Sequence, residues 1–497
     1  MSRYGCPFLS ENRLGDVHTS IYDVCSRLDQ WMREMPHSDS EIPRNGTAIA
    51  QDRLADDSLR SSIAAFSARW LPIVSMNPQP ELHYQSMIHA LWRHARRDML
   101  RVINRPSYRS MLTLFLFALT PIPAGISQEE ELDGVSGQAC IHAGLQQIQM
   151  LRARQRSLQF NGTNVSQPVK AKVISTIPDT IGATDFLDAE NIAYWAALTF
   201  DTSASLTLNC RSLLSSGLFG FEAELPWRLA RASATSFQTD MQNWPAHWAY
   251  DMTEERANQI IASASAWKLL TWKLTALVKE ALRDGHDGPE VSRAFTLVVE
   301  AIQQFNTIFR GPLESCQLRM PFLGQQAKFR WYSLMLHYHL SILLLVNVVE
   351  ATDRLDLLDD FEGACSVAVN AVVNALVFSL QNTITLSVKI ESGSPGTASV
   401  KETSATVPLI SLDPYQHHIV VAVQLVQRAI DRDLALGKLS QPDHAGLCST
   451  LEKALDHLPQ SSKSVKAARD AFRSKGSEVS IGRYPNPYSV LQGQYVE

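Results

Sequence analysis

Between Arg330 and Glu350 the chain carries no Lys, Arg, Asp or Glu, and the centre of that gap reads LMLHYHLSILLL, Leu334–Leu345. Its Leu-rich pattern predicts a helix apolar on nearly all faces, hence a central helix wrapped by others. Elsewhere the apolar positions recur with the 3.6-residue period of half-buried helices. In Pro80–Ile103 the stripe is Ile88, Leu91, Trp92, Ala95, Met99 and Val102, and the opposite face holds Arg93, Arg97 and Arg101. Further helices are expected at His18–Met35, Asp56–Leu71, Asp185–Leu206, Thr253–Arg283, Pro289–Phe309, Lys328–Thr352, Asp356–Leu380, Pro414–Leu436 and Gln441–His457. Ser127 and Glu130 form an S-x-x-E capping box, opening a helix that runs toward Arg152, Arg154 and Arg156. Alternating β-branched runs joined by tight turns are not visible. The fold class expected is therefore all-α, an irregular multi-helix bundle around a central apolar helix.

Four stretches read as loops: Pro36–Gln51, Asn161–Pro178, Gly393–Pro408 and the tail after Ser474. They divide the chain into an N-terminal helix and flexible loop (1–55), a main body (56–385), a mobile loop (386–410), C-terminal helices packed on the body (411–473) and a tail (474–497). No repeat at solenoid periods is present.

The apolar gap is about as long as the ~20 residues of a membrane span. It holds Tyr332, Ser333, His337, Tyr338, His339, Ser341 and Asn347, a polar density that lipid does not tolerate. No membrane association is expected. Nor do His337 and His339 make a metal site. Two helical positions two apart point about 200° away from each other, so they cannot share an ion. Both are expected as core histidines hydrogen-bonded to neighbours.

The 497 residues are 45% hydrophobic, enough for a large core, and the net charge of −5 argues against binding nucleic acid by bulk charge. The seven cysteines are sparse, which fits a reducing compartment better than a disulfide scaffold. The first residues, MSRYGCPFLSENRLGD, have no apolar leader pattern, so the sequons at Asn45, Asn161 and Asn164 read as chance matches. Nucleophile elbow, P-loop, dinucleotide fingerprint and H-E-x-x-H are absent. LDDFEG, Leu358–Gly363, offers Asp359, Asp360 and Glu362 but no second acidic ligand set, so Asp356, Asp359 and Asp360 are expected to cap the next helix. The Arg93, Arg96, Arg97, Arg101, Arg105 stripe is expected to be solvated or paired with Glu129–Glu131. No catalytic, cofactor-binding or metal residue is assigned.

Two passages carry a resemblance. NIAYWAALTFDTSASLTLNCRSLL, Asn191–Leu214, followed by ELPW, Glu224–Trp227, resembles the middle homology region of fungal-specific transcription factors. Trp195, Phe200, Asp201, Ser205, Arg211, Leu225 and Pro226 stand at that family's signature places, with Ser212 where a Pro is usual. The LHYH run with His337 and His339 is similar to a long apolar helix found downstream in the family, and Trp92–Gly134 to the region where the domain begins. The matches cover roughly Ser67–Leu380, with weaker similarity to about Phe472. What the resemblance implies is a non-enzymatic, nuclear regulatory domain that controls RNA polymerase II transcription. Its partners would be other transcription regulators, a second copy of itself or a small-molecule effector. Zinc would enter only through an N-terminal binuclear cluster, whose close cysteine pairs this chain lacks, so direct DNA binding is not expected of it. The other reading is an all-α metabolic enzyme or helical scaffold, its pocket lined by His337, His339, Tyr338, Trp267 and Trp272. Asp201 inside an apolar stripe needs a partner, and Arg211 is the expected one.

Overall fold

The computed structural model describes residues 13–14, 17–18, 20–34, 47–74, 81–159, 184–208, 210–214, 225–245, 248–249, 251–286, 288–358, 361–392 and 399–477. They are mostly helical, and the all-α class is as the sequence pattern indicated. In chain order come a two-residue strand pair, β1 (Arg13–Leu14) and β2 (Val17–His18), then α1 (Ile21–Glu34), α2 (Thr47–Ala68), α3 (Leu71–Val74), α4 (Glu81–Val102) and α5 (Tyr108–Leu119). There follow α6 (Gln128–Leu132), α7 (Gly137–Gln159), α8 (Thr184–Thr207), α9 (Leu225–Gln242), α10 (Glu254–Arg283), α11 (Gly288–Arg319), α12 (Gln325–Ala351) and α13 (Glu362–Gln381). A hairpin, β3 (Thr383–Ser392) and β4 (Ser399–Pro408), precedes α14 (Gln416–Ala435), α15 (Gln441–Asp456) and α16 (Lys463–Ser477). The chain forms two compact units. One comprises Met1–Ala68, Met87–Pro121 and Ile126–Asp201; the other comprises Arg69–Ser86, Ile122–Gly125 and Thr202–Glu497.

The first unit is organised by one arginine. Asp29 on α1 is buried and accepts the first amides of α5, Tyr108 N at 2.7 Å and Arg109 N at 3.2 Å. Those N–H groups have no partner inside their own helix, so the carboxylate both caps it and meets its positive end. The Arg109 guanidinium then donates to Asp29 at 2.8 Å, to Asp56 at 2.7 Å and to Asp52, fastening α1 and α2 to α5. On α4 the stripe is buried as expected at Ile88, Trp92, Ala95, Met99 and Val102, with Leu91 half-buried. The arginine face meets the acidic turn: Arg93 pairs with Glu130 through two bonds of 2.5 and 2.8 Å, and Arg96 donates to the Glu130 carbonyl at 2.9 Å. Ser127 caps α6 by accepting Glu130 N at 3.2 Å. That helix does not run on to Arg156. It stops at Leu132, and a new cap, Ser136 on Ala139 N at 3.1 Å, opens α7. The turn between them passes so close over Arg96 that a Cβ on Gly134 would overlap its guanidinium.

In the second unit α12 is the interior rod. Every residue from Phe329 to Val349 is buried except Met335. Four helices contact it. Trp272 of α10 donates to the His337 carbonyl at 2.7 Å, Phe305 of α11 stacks on Tyr338 at 3.6 Å, Trp331 meets Phe378 of α13 edge-on, and Arg428 of α14 donates to Asn347 at 2.5 Å. Two described helical stretches are long and apolar enough to cross a membrane, Gln325–Ala351 and Gly363–Gln381. The first is 83% buried in its most apolar window and the second only 28%. The second is the stretch that the hydropathy pattern passes over in favour of Met111–Leu119.

Several boundaries differ from the sequence pattern. The helix expected from Asp56 already starts at Thr47, within the stretch Pro36–Gln51 expected as a loop. The helix expected to end at Phe309 continues through Pro312 to Arg319, because Leu313, Cys316 and Met320 keep the buried stripe going. The helix expected from Asp356 starts only at Glu362, and Asp356 does not cap it. Asp356 sits in a 3₁₀ turn, paired with Arg354 by two bonds of 2.8 Å. Asp359 and Asp360 lie outside the described residues. The mobile loop placed at 386–410 is instead an antiparallel hairpin, registered from Thr383↔Pro408 to Ser392↔Ser399. At its base Ile384 and Val407 are buried, and the Thr385 and Thr406 hydroxyls meet at 3.1 Å. Most of Pro36–Gln51, all of Asn161–Pro178 and the last twenty residues of the tail lie outside the described residues.

Candidate functional site

Two polar constructions stand out in the second unit. The first ties the last turn of α8 and the segment after it to the C-terminal part of α10. Ser205 donates to Glu280 at 3.3 Å, and its backbone carbonyl accepts from the Lys279 ammonium. Arg211 pairs with Asp284 at 2.7 Å. Lys273 donates to the Ser212 hydroxyl at 2.8 Å and to the Leu214 carbonyl at 3.2 Å. Lys273 and Lys279 are both buried, and burial pulls Lys279 down to about 8. A buried ammonium needs such oxygen partners, since an unpaired one costs several kcal/mol. The C-terminal third of α10 thus presents Lys273, Lys279 and Glu280, with Asp284 at its C-cap, and residues between 205 and 214 supply the complementary groups.

The second is a chain of histidines and hydroxyls. Ser333 Oγ lies 3.4 Å from His337 Nδ1, His337 Nε2 lies 3.3 Å from His418 Nδ1, and His418 Nε2 lies 2.7 Å from Ser203 Oγ. His417 Nε2 reaches the same serine at 3.4 Å. Neutral imidazoles carry one donor and one acceptor, so the chain is satisfied when all protons point the same way along it. Trp272 and Tyr415 close round it. Tyr415 stacks on His418 with centroids 5.0 Å apart, and Trp272 lies 5.0 Å from the same ring. Ser203, His337 and His418 are all buried.

Burial, reinforced by the Lys268 charge, holds His337 and His418 well below the usual histidine range. Burial beside Arg69 takes His417 to about 4. Burial likewise pushes Asp413 up to about 6, opposed by the Tyr415 amide, which donates to it at 2.8 Å, by Tyr332 and by the positive charges of Lys268 and Arg69. The histidines are neutral at pH 7. The arrangement can pass a proton along hydrogen bonds, but Asp413 is bonded to the Tyr415 amide and not to an imidazole, so no histidine here is oriented by a carboxylate as in a hydrolase triad. Among the described residues no group of three or more His, Cys, Asp or Glu is placed to hold a metal ion, and the six described cysteines are free thiols.

The signature residues separate into groups. Ser205 and Arg211 belong to the α10 attachment. Arg211 is largely exposed and pairs with Asp284, so the ion pair on its guanidinium is not the buried one sought for Asp201. Asp201 is itself buried on α8, Trp195 is half-buried, and Pro226 opens α9. His337 joins the histidine chain. His339 points elsewhere, its ring against Tyr338 and its Nδ1 without a hydrogen-bond partner, contrary to the expectation that both would be bonded. Of the pocket residues weighed for an enzyme, Trp272 accompanies His337, whereas Trp267 and Tyr338 donate to α11 carbonyls, Ala301 at 2.9 Å and Ile302 at 3.5 Å. Ser203, His417, His418 and Asp413 escape the sequence reading. The signal was DPYQHH, Asp413–His418, at the start of a helix. No protein-family model, no curated protein and no solved structure matches the chain.

Proposed function

We propose that the chain is the regulatory body of a fungal transcriptional regulator, non-enzymatic and nuclear, acting on RNA polymerase II transcription through partner proteins. The observation that carries the reading is the attachment on α10. Ser205, Arg211 and Ser212, which stand at the Ser and Arg-Pro places of the resemblance, all engage the C-terminal part of α10 or its cap residue Asp284. The mechanism is conformational: an effector or partner that favours one arrangement of the 205–214 segment shifts an equilibrium and with it the recruitment of the transcription machinery. The test is to tether the full chain to a heterologous DNA-binding module in a fungal host and read a reporter, with a fluorescent tag reporting location. Nuclear accumulation and a changed reporter are expected, together with no sequence-specific gel shift by the purified chain. An unchanged reporter with a chain confined to the cytoplasm would overturn the proposal.

One contact favours a second reading, an all-α enzyme. Ser203 Oγ and His418 Nε2 are at the distance of a serine nucleophile and its base. Both are buried, so this reading requires an opening that admits substrate.

A further inference from the structure

Helix α4 and the turn after it carry an excess of positive charge. Residues 93–106 read RHARRDMLRVINRP, five arginines against one aspartate, in a chain of net charge −5. The exposed positions of this stretch are Arg93, His94, Arg97, Leu100, Arg101, Asn104, Arg105 and Pro106, and none of them is acidic. Asp98 is buried and already shared by Arg101 at 3.1 Å, His94 at 3.2 Å and the Ser61 hydroxyl at 2.6 Å.

The neighbouring elements neutralise only one end of the row. α6 takes Arg93 and Arg96 through Glu130, which leaves the half from Arg97 onward. α2 packs there through Ser61 and through Ser58, bonded to the Asp98 carbonyl at 2.9 Å, and adds exposed Asp57 and Arg60, one charge of each sign. α7 closes the far end. Its buried Gln147 donates to the Val102 and Ile103 carbonyls at 3.2 and 2.8 Å, and its sequence holds no Asp or Glu. Arg97 and Arg105 make no ion pair among the described residues. Arg93, Arg97 and Arg101 stand at four-residue steps, about 6 Å apart along the helix. Acidic side chains of a partner helix at the same repeat match that spacing. Two exposed apolar side chains lie at this end: Leu100, 44% exposed, between Arg97 and Arg101, and Met150, 56% exposed, one turn along α7 from Gln147. A phosphate backbone has no use for them, whereas a peptide that mixes acidic and apolar residues engages both.

We infer that the Arg97–Arg105 end of α4 is a docking surface for a partner segment with acidic residues at four-residue steps and apolar residues between them. Guanidinium groups take carboxylates through paired hydrogen bonds, and Leu100 and Met150 meet the apolar part of the segment. With the opposite net charge elsewhere, the chain steers an acidic segment to this end. The inference rests on this surface and not on the regulatory reading, and its failure would leave that reading standing. Fluorescence anisotropy with the full chain and a labelled synthetic peptide, glutamates at four-residue steps and leucines between them, should show binding in the micromolar range that weakens as salt screens it. Arg97→Glu/Arg105→Glu, at exposed positions, should weaken it by about tenfold or more without moving the thermal melt, and Leu100→Ser by a smaller factor that salt does not change. A peptide with its leucines replaced by glutamine should bind less tightly. No binding, or binding unchanged in the double-glutamate variant, overturns the inference. So does tighter binding of a short DNA duplex through the same arginines, which would assign the surface to nucleic acid.

Discussion

Arg109 concentrates more of the first unit's order than any other side chain described. It binds Asp29, Asp52 and Asp56 from two helices, and Asp29 also receives two α5 amides. Removing the arginine leaves a nine-tenths buried carboxylate without its counter-charge, and breaking one side of such a pair costs about 3–5 kcal/mol. Arg109→Met should therefore destabilise by that amount in denaturant titration. A loss under about 1 kcal/mol, the worth of an exposed pair, would show that the charges are solvated. Ser203 permits a sharper choice between the two functional readings. As a buried hydroxyl bonded to His418, it should resist a fluorophosphonate probe in the native chain. Stoichiometric labelling that disappears in Ser203→Ala would favour the enzyme. Neither residue was legible beforehand. Arg109 sits in an ordinary PSYRS stretch, and its three aspartates lie 80, 57 and 53 positions away, so only the fold collects them.

At the scale of elements, long helices were legible because burial on one side writes a 3.6-residue stripe. Glu254–Arg283 and Gln325–Ala351 fall within a few residues of their sequence-based bounds. Connections were not. The hairpin was hidden although Ile384, Leu386, Val388 and Ile390 alternate with Thr, Ser and Lys, because its return strand, SVKETSATVP, is mostly small and polar. Among its described side chains, Ser404–Pro408, Val407 is the buried one, so little apolar signal was needed to hold that end. The end of α12 shows a different local constraint. Asp353 takes φ 57°, and Arg354 N returns to the Val349 carbonyl at 3.2 Å, a C-terminal cap that glycine makes without steric cost. Asp353→Gly should raise stability by a few tenths to about 1 kcal/mol. Within the rod, Leu340 and Leu345 are fully buried, and truncating either to alanine should cost about 2–5 kcal/mol. Chemical denaturation of the single variants checks both, and a Leu340→Ala loss below about 1 kcal/mol would mean that α12 does not pack as an interior rod.

The whole molecule has a pH dependence set by a competition between its buried groups. His337, His339, His417 and His418 are held below the ordinary 6.5 of histidine, His339 and His417 to about 4, because burial disfavours the imidazolium. In the unfolded chain they take up protons near pH 6.5, whereas in the folded chain His339 and His417 refuse them until about pH 4 and burial keeps His337 and His418 neutral well below 6.5. Their contribution is complete above pH 6.5 and is lost as pH falls, by up to about 1.4 kcal/mol per histidine for each pH unit in that window. Asp413, raised to about 6, and Asp29, raised in the same direction by burial, act oppositely: they hold protons in the folded state that the unfolded chain has released, so acidification favours folding through them. Four groups pull one way and two the other. Lys279, near 8, titrates above the window and leaves it unchanged. The melting temperature should therefore fall steadily from pH 6.5 to pH 5 at constant ionic strength. His339→Asn should shallow that slope by about one histidine's share, since His339 stands apart from the hydrogen-bonded chain and its Nδ1 has no partner to lose. A slope that His339→Asn leaves unchanged would mean that burial does not hold this imidazole below its ordinary range.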